Sequence, residues 1–424
     1  RSLCGYHGAG GVGAGTYYSD DDWRTWDTSN LVRVPNTIPN IWQTGAVEPT
    51  FVQLRDGRIW MLLRNSTERL WESFSEDLGE SWSEPEPSRF YAGPNTWSTL
   101  KRLSDGSILL TWNHAMVMNP AATQDKWNFT NRDVIHGAIS RDDGVSWSGF
   151  RELHRDGLRD SDEFVNYPGD KGLNESMIAE LPDGRVMTSV GQAPGHRVFL
   201  VFEPTWLEER SAADDFSDGL GAWTRQMLIW RPPTYSREYH HNYNRKPGAQ
   251  LVASPDGTGS SVLHIRREGD PERYSQRDGT NWNFPAGVNG RAGARVWLSA
   301  GFGGGAVSLT DRFFQPGDGQ GEEMAMVRVD IGADGSVRDG GAPLQSLATL
   351  APDRWYDLSV RWTDANDSSG RAELWIDGSR AGDLKLRRPS PAGVSYLRFR
   401  SMALNNPDPA GFYVARTNTE IGRW

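Results

Sequence analysis

The stretch SEDLGESW, residues 75–82, returns as SRDDGVSW at residues 140–147. A degenerate copy, SDDDWRTW, occupies residues 19–26, with Trp23 where the other two have glycine. The pattern S-x-D-x-G-x-x-W describes a turn that satisfies itself. Ser and Asp side chains accept hydrogen bonds from nearby backbone N–H groups, Gly takes the positive φ of a tight bend, and Trp supplies an apolar plug beneath it. Repetition marks the box as an architectural module rather than a catalytic motif.

A second motif runs in register with the first. Asp56-Gly57, Asp105-Gly106 and Asp183-Gly184 each sit between two short apolar runs, such as FVQL and IWMLL around the first. Asp-Gly between two such runs is a strong hairpin signal. The order strand, Asp-Gly turn, strand, strand, box, strand predicts a four-stranded meander of about 50 residues, the size of a propeller blade. Asp56 and Asp105 are 49 residues apart and Asp105 and Asp183 are 78 apart, so insertions around 114–131 and 151–174 are expected to project as loops. Residues 1–210 then hold three recognisable blade units. A closed propeller has about four to eight blades, so N-terminal blades are expected to precede residue 1.

From residue 211 the register stops. New alternating runs follow, including SVLHIRR, ARVWLSA, WYDLSVRW, RAELWIDG, SYLRFRS and GFYVART, with turns at Asp334-Gly335 and Asp377-Gly378. They predict an antiparallel β-sandwich, of jelly-roll type, over residues 211–424. The expected fold class is all-β, a partial propeller followed by a sandwich.

The 424 residues carry a net charge of −10 without a basic stripe, which argues against nucleic acid as a partner. No apolar run approaches the roughly 18 residues of a membrane span. Cys4 is the only cysteine, so a disulfide framework and a CxxC site are excluded, and secretion is neither supported nor ruled out. No signal segment is read in the chain, and localisation stays open, secreted or periplasmic included. Oligomeric state is not legible. The 19 tryptophans suit aromatic packing in an all-β protein and stacking on carbohydrate.

The boxes, combined with EPTFVQLRDG at residues 48–57 and LLR at 62–64, resemble the sialidase (neuraminidase) superfamily of Asp-box (BNR) six-bladed propellers. The resemblance covers the first half of the chain. The second half looks like the concanavalin or laminin-G-like sandwiches appended to carbohydrate-active enzymes. The resemblance implies an exo-acting glycoside hydrolase that removes a terminal acidic sugar from a glycan or oligosaccharide, without metal or organic cofactor. It also implies three arginines on the substrate carboxylate, a tyrosine nucleophile activated by a glutamate, and an aspartate as acid/base. A guanidinium offers a carboxylate a bidentate fork, and a phenol needs a neighbouring base to become a nucleophile.

Carried over residue by residue, Glu48 matches the activating glutamate, Arg64 the second arginine and Arg132 the third. The first arginine and the aspartate are expected in blades before residue 1. The nucleophile does not carry over. Glu48, Trp97 and Glu175 each stand eight residues before an Asp-Gly aspartate, and the family's tyrosine belongs where Glu175 stands. Tyr167, eight residues earlier, lies in a Gly/Asp-rich stretch. Either a loop delivers Tyr167, or Glu175 replaces the phenol and forms a carboxylate pair with Glu48 suited to ordinary glycoside hydrolysis. His114 is a candidate rim ligand or base, with a hydrogen-bonded loop histidine as its rival reading. His136 reads as a packed histidine, Trp97 as a stacking platform and Arg197 as an extra anion contact. Two further classes stay open: a polysaccharide lyase or uronic-acid-specific glycosidase, with His114 or Tyr167 moving the proton, and a non-catalytic carbohydrate binder.

Overall fold

The computed structural model describes residues 1–8, 13–35, 45–65, 67–93, 96–116, 132–156, 172–191, 197–229, 244–267, 278–316, 320–340, 345–404 and 408–422. The chain is all-β: among these residues only Gln320–Glu323 is α-helical and only Pro204–Glu208 forms a 3-10 helix. No helix among them is long and apolar enough to cross a membrane. Two compact units divide the described residues, one from 1–156 and 172–208, the other from 209 onward.

The first unit contains four antiparallel meanders. Sheet I holds β1 (Ser2–His7), β2 (Ala14–Ser19) and β3 (Asp27–Thr28). Sheet II holds β4 (Val47–Gln53), β5 (Ile59–Arg64), β6 (Arg69–Ser75) and β7 (Glu86–Tyr91). Sheet III holds β8 (Ser98–Arg102), β9 (Ile108–Trp112), β10 (Val134–Ser140) and β11 (Ser148–Arg155). Sheet IV holds β12 (Met177–Glu180), β13 (Val186–Val190) and β14 (Val198–Phe202). In sheets II and III the Asp-Gly turn joins the first two strands and the box joins the last two, in the expected order. Among the described residues, sheets I and IV contain three strands rather than four. Residues 117–131 and 157–171, where the insertions were expected, lie outside the described residues.

β5 reads IWMLLR and every one of its residues is buried, because sheet II is covered on both faces. On one face Ile59, Met61 and Leu63 pack with Ala14, Val32 and Trp82. On the other, the Trp60 ring lies 6.1 Å from Trp147 and 6.2 Å from Phe90. The boxes close their own turns. Asp77 Oδ1 accepts from Ser75 Oγ at 2.8 Å and from the Ser81 N–H at 2.8 Å, while Gly79 N–H donates to Ser75 Oγ at 2.7 Å. Asp142 repeats this with Ser140, Ser146 and Gly144. Gly79 and Gly144 have φ of 91° and 90°.

The worn box makes the same bonds. Trp23 N–H donates to Ser19 Oγ at 2.8 Å, and Trp23 itself takes the glycine's left-handed position at φ 66°. Such a conformation costs a residue with Cβ about 1–2 kcal/mol, so the hydrogen bonds impose it. The expected plug holds only in part. Trp82 is 5% exposed, with its indole N–H on Thr16 Oγ1 at 3.0 Å, whereas Trp26 is 60% exposed and packs edge-on against Tyr17.

The second unit is a sandwich of two eight-stranded antiparallel sheets. In one, Asp408–Ile421 pairs with Gly290–Leu298 along one edge, and with Ser261–Arg267 and Ser211–Asp214 along the other. In the other, Val394–Ser401 lies between Gly279–Gly287 and Gly305–Thr310. One apolar core takes residues from both, including Val296 and Leu358 from the first and Val307, Leu397 and Phe399 from the second.

Candidate functional site

β4, β8 and β12 are the first strands of sheets II, III and IV, and hydrogen bonds between hydroxyls and backbone stitch them side by side. Leu100 N–H donates to Thr50 Oγ1 at 3.0 Å, joining β8 to β4. Thr99 Oγ1 donates to the Ser176 carbonyl at 2.5 Å, and Trp97 N–H to Asn174 Oδ1 at 3.0 Å, joining β8 to the approach to β12. Ser176 Oγ and Thr111 Oγ1 are 2.7 Å apart. Glu48 near the start of β4, Trp97 just before β8 and Glu175 just before β12 therefore stand at corresponding ends of three adjacent strands, with the tryptophan at the middle one.

The two carboxylates share an uncommon backbone. Glu48 has φ 47° and Glu175 has φ 53°, both left-handed. Glu is not a residue that relaxes there, and such strain gathers at functional positions held by their surroundings. At Glu48 the conformation coincides with a register shift between Val47 and Thr50 against β5. The reading that a strand sets the direction of Glu175 is corrected: β12 begins at Met177, and the left-handed residue precedes it.

Each glutamate has an arginine. Arg64, the last residue of β5, forms a hydrogen-bonded ion pair with Glu48, the side chains being 8% and 16% exposed. Arg197, just before β14, reaches Glu175 at 3.3 Å and donates through Nε to the Gly191 carbonyl at 2.9 Å. This second pair is open to solvent, with side chains 44% and 40% exposed. Trp97 is half-buried, and its indole N–H donates to Thr99 Oγ1 at 3.0 Å.

Three further candidates are Arg132, His114 and Tyr167. Arg132 is 1% exposed, two residues before β10, and its carbonyl accepts from the Leu173 N–H. His114 is fully buried, with Nδ1 2.9 Å from the Tyr91 carbonyl oxygen and its ring 5.2 Å from those of Trp112 and Phe150. Its backbone N–H donates to Nδ1 of His136, which is also fully buried. Burial pushes the His136 pKa well below its ordinary value, and the positive charge of His114 and Arg155 adds to the effect. Tyr167 lies outside the described residues. No group of three metal-ligating side chains occurs among the described residues.

Sequence reading missed the hydroxyl and amide stitches. Their trace was available: Thr50 and Thr99 both stand six residues before an Asp-Gly aspartate, and Ser98 and Ser176 both stand seven before one.

No curated protein matches the sequence. Among solved structures, Trypanosoma rangeli sialidase in complex with 2,3-difluorosialic acid (covalent intermediate) is 12% identical, with a TM-score of 0.37 over 97% of this chain and 64% of that one. A bifunctional GH43-CE protein of Bacteroides eggerthii is 12% identical, with a TM-score of 0.35 over 100% of this chain and 53% of its own. The carbohydrate esterase vb_24B_21 of the Shiga toxin-encoding bacteriophage phi24B is 14% identical, with a TM-score of 0.31 over 50% of this chain and 98% of its own. The chain thus spans 64% of the length of the sialidase structure. Residues 2–187 match the family described as BNR repeat-like domain, and all three boxes fall within that span.

Proposed function

We propose that the chain is a glycoside hydrolase acting on a glycan with a terminal acidic sugar, sialic acid or a similar one, at the shared end of β4, β8 and β12. The observation that carries this reading is the matched pair of strained glutamates, each with an arginine, on either side of Trp97. Glycosidic bonds break through oxocarbenium-like transition states, and two carboxyl groups supply both needs. One protonates the leaving oxygen, and the other attacks the anomeric carbon or activates water. The buried Arg64 guanidinium holds the Glu48 carboxyl group in place, as a base or nucleophile requires. Glu175 stands nearer solvent, and Arg197 beside it meets the acidic group of the sugar. Trp97 offers its face to a sugar ring. Where Tyr167 attacks instead, Glu48 is its base and Glu175 is a binding residue.

The test is a panel of aryl sialosides, aryl uronides and neutral aryl glycosides, run with wild type and with Glu48→Gln, Glu175→Gln and Tyr167→Phe. Cleavage of an acidic member is expected, with kcat falling about 10²–10⁴-fold in Glu48→Gln and in one of the other two variants. Full kcat/KM in both glutamate variants would remove the site.

A further inference from the structure

Glu175 is bracketed by its two chain neighbours, and both are tied to Trp97. Asn174, fully buried, accepts the Trp97 backbone N–H through Oδ1 at 3.0 Å. On the other side the Ser176 carbonyl accepts from Thr99 Oγ1 at 2.5 Å, and the same hydroxyl oxygen accepts the Trp97 indole N–H at 3.0 Å. An indole N–H can only donate and a carbonyl can only accept, so the Thr99 hydroxyl receives from the ring and gives to the peptide after Glu175. Thr99 stands opposite Thr111 in the β8–β9 ladder, and the Thr111 hydroxyl lies 2.7 Å from Ser176 Oγ, so two strands grip Ser176. The bracket extends to Arg197. The Asn174 carbonyl accepts the Gly191 N–H at 2.9 Å, and the Gly191 carbonyl accepts from Arg197 Nε at 2.9 Å.

We infer that Thr99 is a positioning residue, whose hydroxyl holds the Trp97 ring in one pose against Glu175 and Arg197. The inference rests on the function proposed above. A ring that stacks on a sugar has to keep a fixed height and tilt relative to the carboxylate and guanidinium that meet the rest of that sugar. A half-buried indole has two side-chain torsions to choose from, and the bond from its N–H to Thr99 selects one arrangement. The same oxygen pins the peptide that follows Glu175, where the left-handed backbone is imposed by the surroundings. One hydroxyl thus serves the aromatic platform and the charged pair together, and losing it frees both at once.

Thr99→Val keeps the shape of the side chain and removes both bonds, whereas Thr99→Ser keeps the hydroxyl. Wild type, these variants and Trp97→Phe are labelled with 5-fluorotryptophan, and the Trp97 line in the fluorine NMR spectrum is the one missing from Trp97→Phe. That line is expected to move in Thr99→Val and to return in Thr99→Ser. On the aryl glycoside that wild type cleaves best, Thr99→Val should raise KM and lower kcat/KM about 10–100-fold, with most of the loss recovered in Thr99→Ser. A merely structural role would reduce the folded fraction and lower kcat at unchanged KM. A Trp97 line indifferent to Thr99→Val overturns the inference, as does an unchanged kcat/KM, a fall in kcat alone, or a Thr99→Ser variant no better than Thr99→Val. A panel with no cleaved member removes the proposed function instead, and the fluorine spectra then decide by themselves whether Thr99 sets the ring.

Discussion

His136 sets a titration window for the first unit. It is fully buried between β9 and β11, accepts the His114 N–H through Nδ1, and has its proton affinity held down by burial and by the charge of His114 and Arg155. In the unfolded chain its pKa is near 6.5. Because the folded value is lower, the unfolded state binds more protons below pH 6.5, and stability falls as pH falls. While His136 stays neutral in the native state, the loss is RT ln(1 + 10^(6.5−pH)). That expression is the upper limit of the loss, about 0.4 kcal/mol at pH 6.5 and about 1.4 at pH 5.5. The perturbation is His136→Asn, whose side-chain oxygen takes the place of Nδ1 as acceptor for His114 and does not titrate. Urea unfolding followed by tryptophan fluorescence is suited to this region, since the Trp112 ring lies 6.3 Å from His136. The expected result is a wild-type stability that declines relative to His136→Asn as pH falls below 6.5, within those limits. His264, half-buried in the sandwich with a lowered pKa, contributes equally to both proteins and cancels in the difference. Parallel wild-type and variant curves from pH 7.5 to 4.5 would refute the reasoning.

Two further outcomes follow from single contacts. Removing one partner of the buried Glu48–Arg64 pair leaves a charge without its counter-ion, so Arg64→Met should cost about 3–5 kcal/mol, and Glu48→Gln/Arg64→Met should recover part of that in the same thermal scans. In the third box, Asp142→Ala removes the acceptor for Ser140 Oγ and for the N–H and hydroxyl of Ser146, and should cost about 1–2 kcal/mol in urea unfolding, with Asp142→Asn losing less. Burial raises the Asp142 carboxyl, but the Ser146 and Ser140 hydrogen bonds outweigh it and hold the pKa below the ordinary value. The Asp142 contribution should therefore be present above about pH 4 and lost below it, outside the His136 window.

Sheets II and III were legible because their information is local. An Asp-Gly turn or an S-x-D-x-G-x-x-W box satisfies its own backbone, so a few residues at fixed offsets determine it. Gly279–Gly287 was not legible: it reads GTNWNFPAG, with proline, two glycines and two asparagines, and is a strand because Trp223–Ile229 and Val394–Ser401 pair with it on either side. The glutamates could be found by counting from the Asp-Gly turns, but their left-handed backbone could not, since nothing in E-P-T or N-E-S announces it. Burial of Arg132 and His114 was also beyond reach, because it depends on what folds over them rather than on their neighbours in sequence.

The left-handed backbone at Glu175 bears on how this chain responds to selection. Glycine or asparagine at that position would relieve the conformation, and Glu175 is solvent-exposed enough that losing its carboxyl removes little packing. A library screened for thermal resistance alone would therefore drift toward replacing the residue the proposed chemistry needs. Stabilised descendants that have lost turnover should carry their first change there, whereas Glu48, anchored by a buried counter-ion, would be retained by the same screen.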